Sequence, residues 1–154
     1  MSQLFVRTGI TFDLSQQALA HIGKEMLAKG VVHDSYPQAL VERETSFPTG
    51  IALERHAVAI PHCEAVHAKS PAIYLIRPDK PVMFQQADDD EEIAVSLIIA
   101  LIVENLAAQL KLLRRLFGAL QIPDTIEALL SAPDAKLASC FEHKVLTAEQ
   151  CVQV

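Results

Sequence analysis

The chain has 154 residues, of which 51% are hydrophobic and none is Trp, and this size predicts a single domain over residues 1–154. With a formal net charge of −6 and no Lys/Arg-rich run, it lacks the clustered basic face that nucleic acid binding requires. A core built mainly from Leu, Ile, Val and Ala favours an α/β fold, in which a mixed central sheet is flanked by helices.

The first predicted elements are a short strand over residues 4–6 and two helices, over 15–29 and 35–44. One face of the first helix carries its apolar residues, which are Ala18, Leu19, Ile22, Met26 and Leu27. Lys29 and Gly30 end this helix with a cation and a residue that tolerates positive φ. Ser35 is the candidate N-cap of the second helix, and Pro37 fits its first turn.

Residues 47–84 change to short β-branched runs between Pro and Gly, and we predict strands over 58–60, 72–76 and 81–84. The apolar run 93–103 is predicted to be one central strand buried on both faces, although periodicity alone also fits a buried helix. The inward face of an amphipathic helix over 106–120 comprises Leu110, Leu113, Leu116, Phe117 and Leu120. Two shorter helices, capped by Asp124 and Asp134, complete the predicted elements.

The cellular compartment is predicted from two features of the sequence. The most apolar run has about half of the ~20 residues that a membrane-spanning helix needs, and no signal peptide is visible. We therefore expect a cytoplasmic protein without direct membrane insertion. The cysteines, Cys63, Cys140 and Cys151, form an odd set without CxxC spacing, which fits reduced thiols.

Three histidines, His56, His62 and His67, fall within twelve positions and raise the hypothesis of a metal site in a metal-dependent hydrolase. Zinc sites usually show tighter spacings such as HxxxH, and Cys63 points away from its neighbour His62 on an extended chain. We therefore predict neither a metal nor a cofactor. The acidic run 88–92 lacks the spacing of a calcium loop and is expected to be solvated.

His62 directly follows the apolar run 57–60 and a proline, which cannot extend a strand ladder. A side chain that emerges from a buried strand is rigidly placed, and imidazole is a good nucleophile because its ordinary pKa of ~6.5 leaves it largely unprotonated. If the transferred group is a phosphoryl, its oxygens need positive charge or hydrogen-bond donors. Arg43 offers a guanidinium fork, whereas Thr49 and Gly50 offer a hydroxyl and an approachable backbone N–H.

Residues 43–51 (RETSFPTGI) and 57–62 (AVAIPH) together resemble the signature of phosphotransferase-system (PTS) IIA domains of the fructose–mannitol class, EIIA type 2. The resemblance covers nearly the whole chain and implies the mannitol-type EIIA fold. It implies that His62 accepts a phosphoryl group from the carrier protein HPr and passes it to a cysteine of an EIIB protein. The membrane component EIIC would then import a sugar alcohol. Arg43 would steady the phosphoryl group, and Nε2 is the expected phosphorylated atom.

Residues 62–69 (HCEAVHAK) and 84–90 (FQQADDD) look most like the galactitol-specific branch of this class. Mannitol-type and fructose-type members carry a second active-site histidine after the long buried strand, where Gln109 stands in this chain. Gln can donate a hydrogen bond to a phosphoryl oxygen but cannot become cationic. His67 is an alternative substitute for that histidine.

The resemblance therefore implies a phosphotransferase with a phosphohistidine intermediate, serving uptake of a polyol such as galactitol. The alternative is a PTS-type regulatory domain whose phosphorylation state controls another protein. Transient docking of HPr and EIIB needs an apolar patch ringed by charge, and Phe47, Ile51 and Val66 are candidates for it. Cys63 is not predicted to be the nucleophile, because no activating partner accompanies it in sequence.

Overall fold

A computed structural model describes residues 3–146 of the chain. The strands are β1 (Gln3–Arg7), β2 (Gly50–Ala52), β3 (Ala57–Ala59), β4 (Ala72–Ile76), β5 (Val82–Gln85), β6 (Glu92–Val95) and β7 (Leu97–Ile102). The helices are α1 (Ser15–Ala28), α2 (Tyr36–Ser46), α3 (Leu106–Leu120), α4 (Pro123–Ser131) and α5 (Leu137–Phe141). These elements confirm the predicted α/β class.

Five strands form one mixed sheet in the order β1-β4-β7-β3-β2, and β5 and β6 form a separate two-stranded ribbon. β1 runs parallel to β4 and β3 parallel to β7, whereas the β4–β7 and β2–β3 pairs are antiparallel. Because β3 and β7 are parallel, their carboxyl ends meet at one edge of the sheet. At this edge His62, just beyond β3, pairs with Leu101 of β7.

The sheet is covered on both faces, and each face belongs to its own hydrophobic cluster. Tyr74 and Ala100 face the cluster that contains the buried residues of α1 and α2. Leu75 and Ile99, their neighbours along β4 and β7, face the cluster built with α3, α4 and α5. All six residues of β7 are buried, so the strand that leads to the edge beside His62 is held on both sides.

The apolar run 93–103 is not one strand, and this prediction was wrong for its first part. The run breaks at Ser96, whose N–H donates to the carbonyl oxygen of Ala57 at 2.9 Å. Before the break, β6 pairs with β5 rather than with the large sheet, and Ala94 is exposed. Both parts of the run are extended and apolar. The hydrophobic periodicity of the sequence therefore does not reveal that the two parts pair with different strands.

The buried stripe of α3 is narrower than predicted. Leu116 and Leu120 are buried, but Leu110 is 51% exposed and Phe117 38% exposed, so their inward assignment was wrong. A helix that packs one side on a sheet buries a limited arc, and apolar residues beyond that arc remain at the surface. The prediction for Gly30 is confirmed, since its φ is +74°. Within residues 3–146, no helix is long and apolar enough to cross a membrane.

The three predicted N-caps, Ser35, Asp124 and Asp134, were wrong, because none of these side chains forms a capping hydrogen bond. Ser35 precedes α2 without a side-chain cap bond, because its hydroxyl pairs with Nδ1 of His67 at 2.7 Å. Asp124 lies inside the first turn of α4. The carboxylate of Asp134 pairs instead with the guanidinium of Arg77 at 2.6 Å, since a strong charged partner outweighs a cap bond.

Gly50 begins β2 and passes close to the two-stranded ribbon. A Cβ at this position would lie 2.6 Å from the carbonyl oxygen of Gln85, and the Gly50 carbonyl accepts the N–H of Ala87 at 2.8 Å. The close approach predicted at this glycine is therefore to protein backbone. It allows the ribbon to pack against β2, which leads to the functional site.

We expect Gly50→Ala to lower the free energy of unfolding by about 1–3 kcal/mol, because the new methyl group is forced against backbone that cannot turn aside. Urea unfolding followed by circular dichroism measures this change. The matched control is Gly118→Ala on α3, where a Cβ meets nothing within 4 Å and helix propensity predicts a gain of about 0.5–1 kcal/mol. Equal effects of the two substitutions would contradict the packing argument.

Candidate active site

His62 is held by backbone contacts on the strand side. The preceding carbonyl, of Pro61, accepts the N–H of Leu101 at 3.0 Å, which ties the segment to β7. His62 as a residue is only 9% exposed, so it is largely enclosed by protein. The residue therefore has the rigid position at a strand end that its sequence context predicts.

The hydrogen bond of the His62 ring fixes which nitrogen can react. Nδ1 lies 2.8 Å from the carbonyl oxygen of Ile60. A carbonyl oxygen only accepts, so Nδ1 must carry the hydrogen. In the neutral ring Nε2 then carries the lone pair. The geometry thus leaves Nε2 as the nucleophilic atom of a neutral imidazole.

Two causes lower the pKa of His62 below its ordinary value of 6.5. Burial is the larger, because it disfavours the charged imidazolium, and the positive charge of Arg43 acts in the same direction. The hydrogen bond to Ile60 opposes them. The net result keeps the imidazole neutral, and therefore nucleophilic, at neutral pH.

We expect the His62 imidazole to titrate below pH 6.5, and its pKa to rise in Arg43→Gln, because that substitution removes a nearby positive charge. An unfolded chain binds this proton near pH 6.5 while the folded one does not, so stability should fall as pH drops from about 6.5 towards the folded pKa. Side-chain NMR shifts followed against pH measure both midpoints. A wild-type midpoint at or above 6.5 would contradict the burial argument.

Arg43 lies in the last turn of α2, with its guanidinium over the ring of Phe47 at 4.6 Å from the ring centre. One N–H of this group donates to the Phe47 carbonyl oxygen at 3.3 Å. A guanidinium has five N–H donors, and Arg43 forms no ion pair with any residue in the described part of the chain. Its charge is therefore available to an anion near His62, consistent with the prediction from sequence.

Thr49 and Glu44 form a buried pair behind His62. The two carboxylate oxygens of Glu44 accept the N–H and the hydroxyl of Thr49, each at 2.8 Å. The hydroxyl oxygen accepts the N–H of Ile60 at 3.2 Å. The only hydroxyl hydrogen of Thr49 is thus used by Glu44, and the prediction that it reaches a phosphoryl oxygen does not fit this arrangement.

Glu44 was missed as a functional candidate, although it belongs to the run RETSFPTGI. It is 7% exposed, and burial raises its pKa, whereas the two Thr49 hydrogen bonds and the charge of Arg43 act in the opposite direction. A buried carboxylate is costly unless it is paired or hydrogen-bonded. These contacts satisfy that requirement.

Gln109 and His67 occupy different surroundings. Gln109 lies in the first turn of α3, which begins after β7 ends, at the same edge of the sheet as His62. Asn105 caps this turn by accepting the N–H of Ala108 at 2.8 Å. His67 lies in a 3₁₀ turn, and its Nδ1 is occupied by Ser35. Topology therefore favours Gln109 over His67 as the group beside His62.

The clustered histidines do not converge on a common point. His56 pairs with Glu127 on α4, whereas His62 and His67 bond Ile60 and Ser35 respectively. Among residues 3–146, no group of three or more His, Cys, Asp or Glu side chains is arranged to hold a metal ion. The geometry gives no support to the metal-dependent hydrolase.

Two of the three cysteines, Cys63 and Cys140, lie in the described part of the chain, and Cys151 lies outside it. Cys63 and Cys140 are both free, which agrees with the expected reduced state. Burial is the main cause that raises the pKa of Cys63 to about 11. A thiol with such a pKa remains protonated at neutral pH and is a poor nucleophile.

Two of the three predicted docking residues lie at the surface. Phe47 is 64% exposed and Val66 is 72% exposed. In the chain, Phe47 precedes β3 and Val66 follows His62. Ile51 instead packs against the cluster built with α3, α4 and α5, so its assignment to the patch was wrong. Their exposure leaves both side chains accessible to a partner protein.

Comparison with known families matches residues 3–141 to the phosphoenolpyruvate-dependent sugar phosphotransferase system, EIIA 2. The chain belongs to this family. The prediction of a PTS EIIA protein of type 2, and with it of a phosphoryl-transfer protein, is therefore confirmed.

Several known proteins are similar to this member of the EIIA family. The PTS system galactitol-specific EIIA component of Escherichia coli (strain K12) is 62% identical over 150 residues, covering 97% of this chain and 100% of that protein. The crystal structure of IIA mannitol from Escherichia coli has a TM-score of 0.69 at 20% identity, covering 89% of this chain and 93% of the other. This structural likeness confirms the mannitol-type fold.

Two further relatives are relevant to partners and regulation. The complex of enzyme IIAMTL and phosphorylated enzyme IIBMTL from Escherichia coli matches with a TM-score of 0.69 at 20% identity, covering 90% of this chain and 92% of that one. A nitrogen regulatory protein of Pseudomonas aeruginosa is 34% identical over 99 residues, which is 63% of this chain and 60% of that protein. The first of these structures shows a IIA protein of the same fold bound to a phosphorylated IIB protein.

Proposed function

We propose that His62 is the phosphorylated residue of a galactitol phosphocarrier, which takes its phosphoryl group from phospho-HPr and passes it to EIIB. The observation that carries the proposal is the hydrogen bond from Nδ1 to Ile60, which leaves a neutral imidazole with Nε2 as its nucleophile. The choice of galactitol rests on the 62% identity with the galactitol-specific EIIA component.

In the first transfer, the Nε2 lone pair attacks the phosphorus as the bond to the donor breaks, and the bonding electrons leave with the donor atom. A P–N bond forms, and Nδ1 keeps its hydrogen on the Ile60 carbonyl. The guanidinium of Arg43 stabilises the charge spread over the equatorial oxygens of the phosphoryl group. In the second transfer the thiolate of the EIIB cysteine attacks the phosphorus, so that its electron pair forms the P–S bond while the P–N bond breaks and its electron pair returns to Nε2.

Other residues of the site support these transfers in different ways. Gln109, in the first turn of α3, donates an amide hydrogen to a phosphoryl oxygen, which neutral Gln can do at any pH. Thr49 acts from behind the nucleophile, because its hydroxyl hydrogen is used by Glu44. His67, bound to Ser35, takes no direct part.

HPr and EIIB dock in turn on the surface around His62, with the exposed Phe47 and Val66 as apolar anchors. Such encounters are transient, and their interfaces are small and partly polar. The net charge of −6 favours faster encounter with a partner whose docking face is basic. The protein works in the cytoplasm, next to a membrane EIIC that it does not enter.

The test is a reconstituted transfer from phosphoenolpyruvate through purified enzyme I and HPr to this protein, followed by intact-mass spectrometry. One acid-labile phosphate is expected on the wild type, and the addition of a galactitol EIIB should then remove it. Failure to accept phosphate from HPr would contradict the carrier function. The likeness to a nitrogen regulatory protein supports one alternative, a regulatory domain, and that function would be favoured by phosphorylation without onward transfer to any EIIB.

A further inference from the structure

A continuous chain of hydrogen bonds runs from α2 to the nucleophile. The carboxylate of Glu44 accepts both donors of Thr49 at 2.8 Å. Thr49 then accepts the N–H of Ile60 through its hydroxyl oxygen at 3.2 Å and its carbonyl oxygen at 3.3 Å. The carbonyl of Ile60 in turn accepts Nδ1–H of His62 at 2.8 Å. The chain joins three separate segments of sequence through buried groups.

The last bond of this chain depends on the earlier ones. The Ile60 carbonyl selects the Nδ1–H form only if it stays aimed at the ring, since the partner of one ring nitrogen decides which nitrogen is protonated. Thr49 holds the N–H of the same residue, and Leu101 holds the adjacent Pro61 carbonyl at 3.0 Å. Ile60 is thus held through its own N–H by Thr49, just before β2, and through the next residue by Leu101 of β7.

We propose that Glu44 and Thr49 are positioning residues that select Nε2 of His62 as the phosphorylated atom, by holding the Ile60 carbonyl against Nδ1–H. This inference rests on the proposed function of His62. Neither residue touches the phosphoryl group. Their effect is exerted through the Ile60 peptide.

The hydrogen-bond donors around position 44 explain why this residue is a carboxylate and not an amide. Two donors of Thr49 point at Glu44, and a carboxylate offers an acceptor oxygen to each, whereas an amide offers one acceptor and two further donors. Glu44 is 7% exposed and Thr49 is also 7% exposed, so water cannot readily replace a lost partner. An amide at this position can accept only one of these two donors, so either the N–H or the hydroxyl hydrogen of Thr49 loses its acceptor and the Thr49 segment loosens.

The experiment compares the wild type with Glu44→Gln, Thr49→Val and Thr49→Ser. The matched control is Glu42→Gln, which makes the same chemical change two residues away, at an exposed carboxylate that accepts a hydrogen bond from the side chain of Gln38 at 2.9 Å. Long-range ¹⁵N NMR reads the tautomer of the unphosphorylated His62. The same method, with ³¹P NMR, reads which nitrogen carries phosphate after transfer from HPr.

The wild type, Thr49→Ser and Glu42→Gln are expected to show a single Nδ1–H tautomer and phosphate on Nε2 alone. In Glu44→Gln and Thr49→Val we expect a mixture of tautomers and a rate of phosphorylation lower by about 10–100-fold, because a nucleophile that is misplaced or in the wrong tautomer reacts slowly. Rescue by Ser shows that the hydroxyl is the group required. If Glu44→Gln does not fold, the pair Thr49→Val and Thr49→Ser decides alone.

A purely structural role would lower the melting temperature of these variants while leaving one tautomer and a rate within twofold of wild type, and that result would overturn the inference. The tautomer is measured without any phosphoryl donor. Failure of the wild type to accept phosphate would therefore contradict the proposed function alone. A wild-type ring that is mixed or protonated on Nε2 would overturn the positioning role even if His62 were phosphorylated.

Discussion

His62→Ala is expected to abolish phosphorylation by phospho-HPr, because it removes the atom that forms the P–N bond. The neighbouring Cys63 cannot take its place, because burial raises the pKa of this thiol to about 11 and it is protonated at neutral pH. The loss should be complete at every HPr concentration, since the defect lies in bond formation and not in docking. Intact-mass spectrometry after incubation with phosphoenolpyruvate, enzyme I and HPr measures it.

Two comparisons separate this chemical loss from a loss of folding. His62→Gln fills more of the buried space and can still donate a hydrogen bond to the Ile60 carbonyl, so it should fold and remain unphosphorylated. His67→Ala removes a half-buried imidazole five positions away, whose hydrogen bond in the described residues is to Ser35, and this variant should be phosphorylated at a rate within about twofold of wild type. Loss of label in His67→Ala but not in His62→Ala would transfer the nucleophilic role to His67.

The sequence was sufficient to propose His62 as the nucleophile because the signal for it is local. An apolar run, a proline and a histidine define a strand end and a reactive group within six residues, and the structure keeps that order at the edge where β3 and β7 end. Arg43 was proposed in the same way, since a guanidinium near a nucleophile has a direct chemical meaning for phosphoryl transfer. Both predictions needed no knowledge of how the strands pair.

Glu44 was missed because its role appears only when three segments meet. One signal was present, since Glu44 follows Tyr36 and Leu40 at intervals of four residues, and these are the buried positions of α2. A carboxylate on a buried helix stripe needs buried donors. The sequence does not show that Thr49 supplies them, because that contact depends on the turn from α2 into β2.

Local sequence patterns could not predict the break at Ser96 or the exposed apolar residues of α3, for a similar reason. An apolar run reports that residues are buried somewhere, but not which strand they pair with. Leu110 and Phe117 lie on the same helix stripe as buried leucines, yet the arc that the sheet covers is set by packing geometry. Local patterns thus predicted most of the elements, apart from the short strand β2, but contained no information about which elements pair.

Arg43→Gln is expected to slow phosphorylation by about 10²–10³-fold, equal to about 2.7–4 kcal/mol of transition-state stabilisation. Its guanidinium stacks on Phe47 and forms no ion pair in the described residues, so its charge can act on the phosphoryl oxygens. Arg43→Lys should recover part of the rate, because a point charge replaces the fork but cannot bind two oxygens in one plane. Single-turnover transfer from phospho-HPr measures each rate.

The choice of pH and a control variant separate the effect of Arg43 on the phosphoryl group from its effects on His62 protonation and on net charge. The rates are compared at pH 8, where His62 is neutral in every variant, because the removal of Arg43 also raises the pKa of His62. Arg55→Gln makes the same charge change at an exposed arginine between β2 and β3, at the end of β3 opposite His62, and should stay within about twofold of wild type. A similar slowing in both variants would indicate that Arg43 acts on partner encounter through net charge. A large loss in Arg43→Gln alone places its guanidinium on the transferring group.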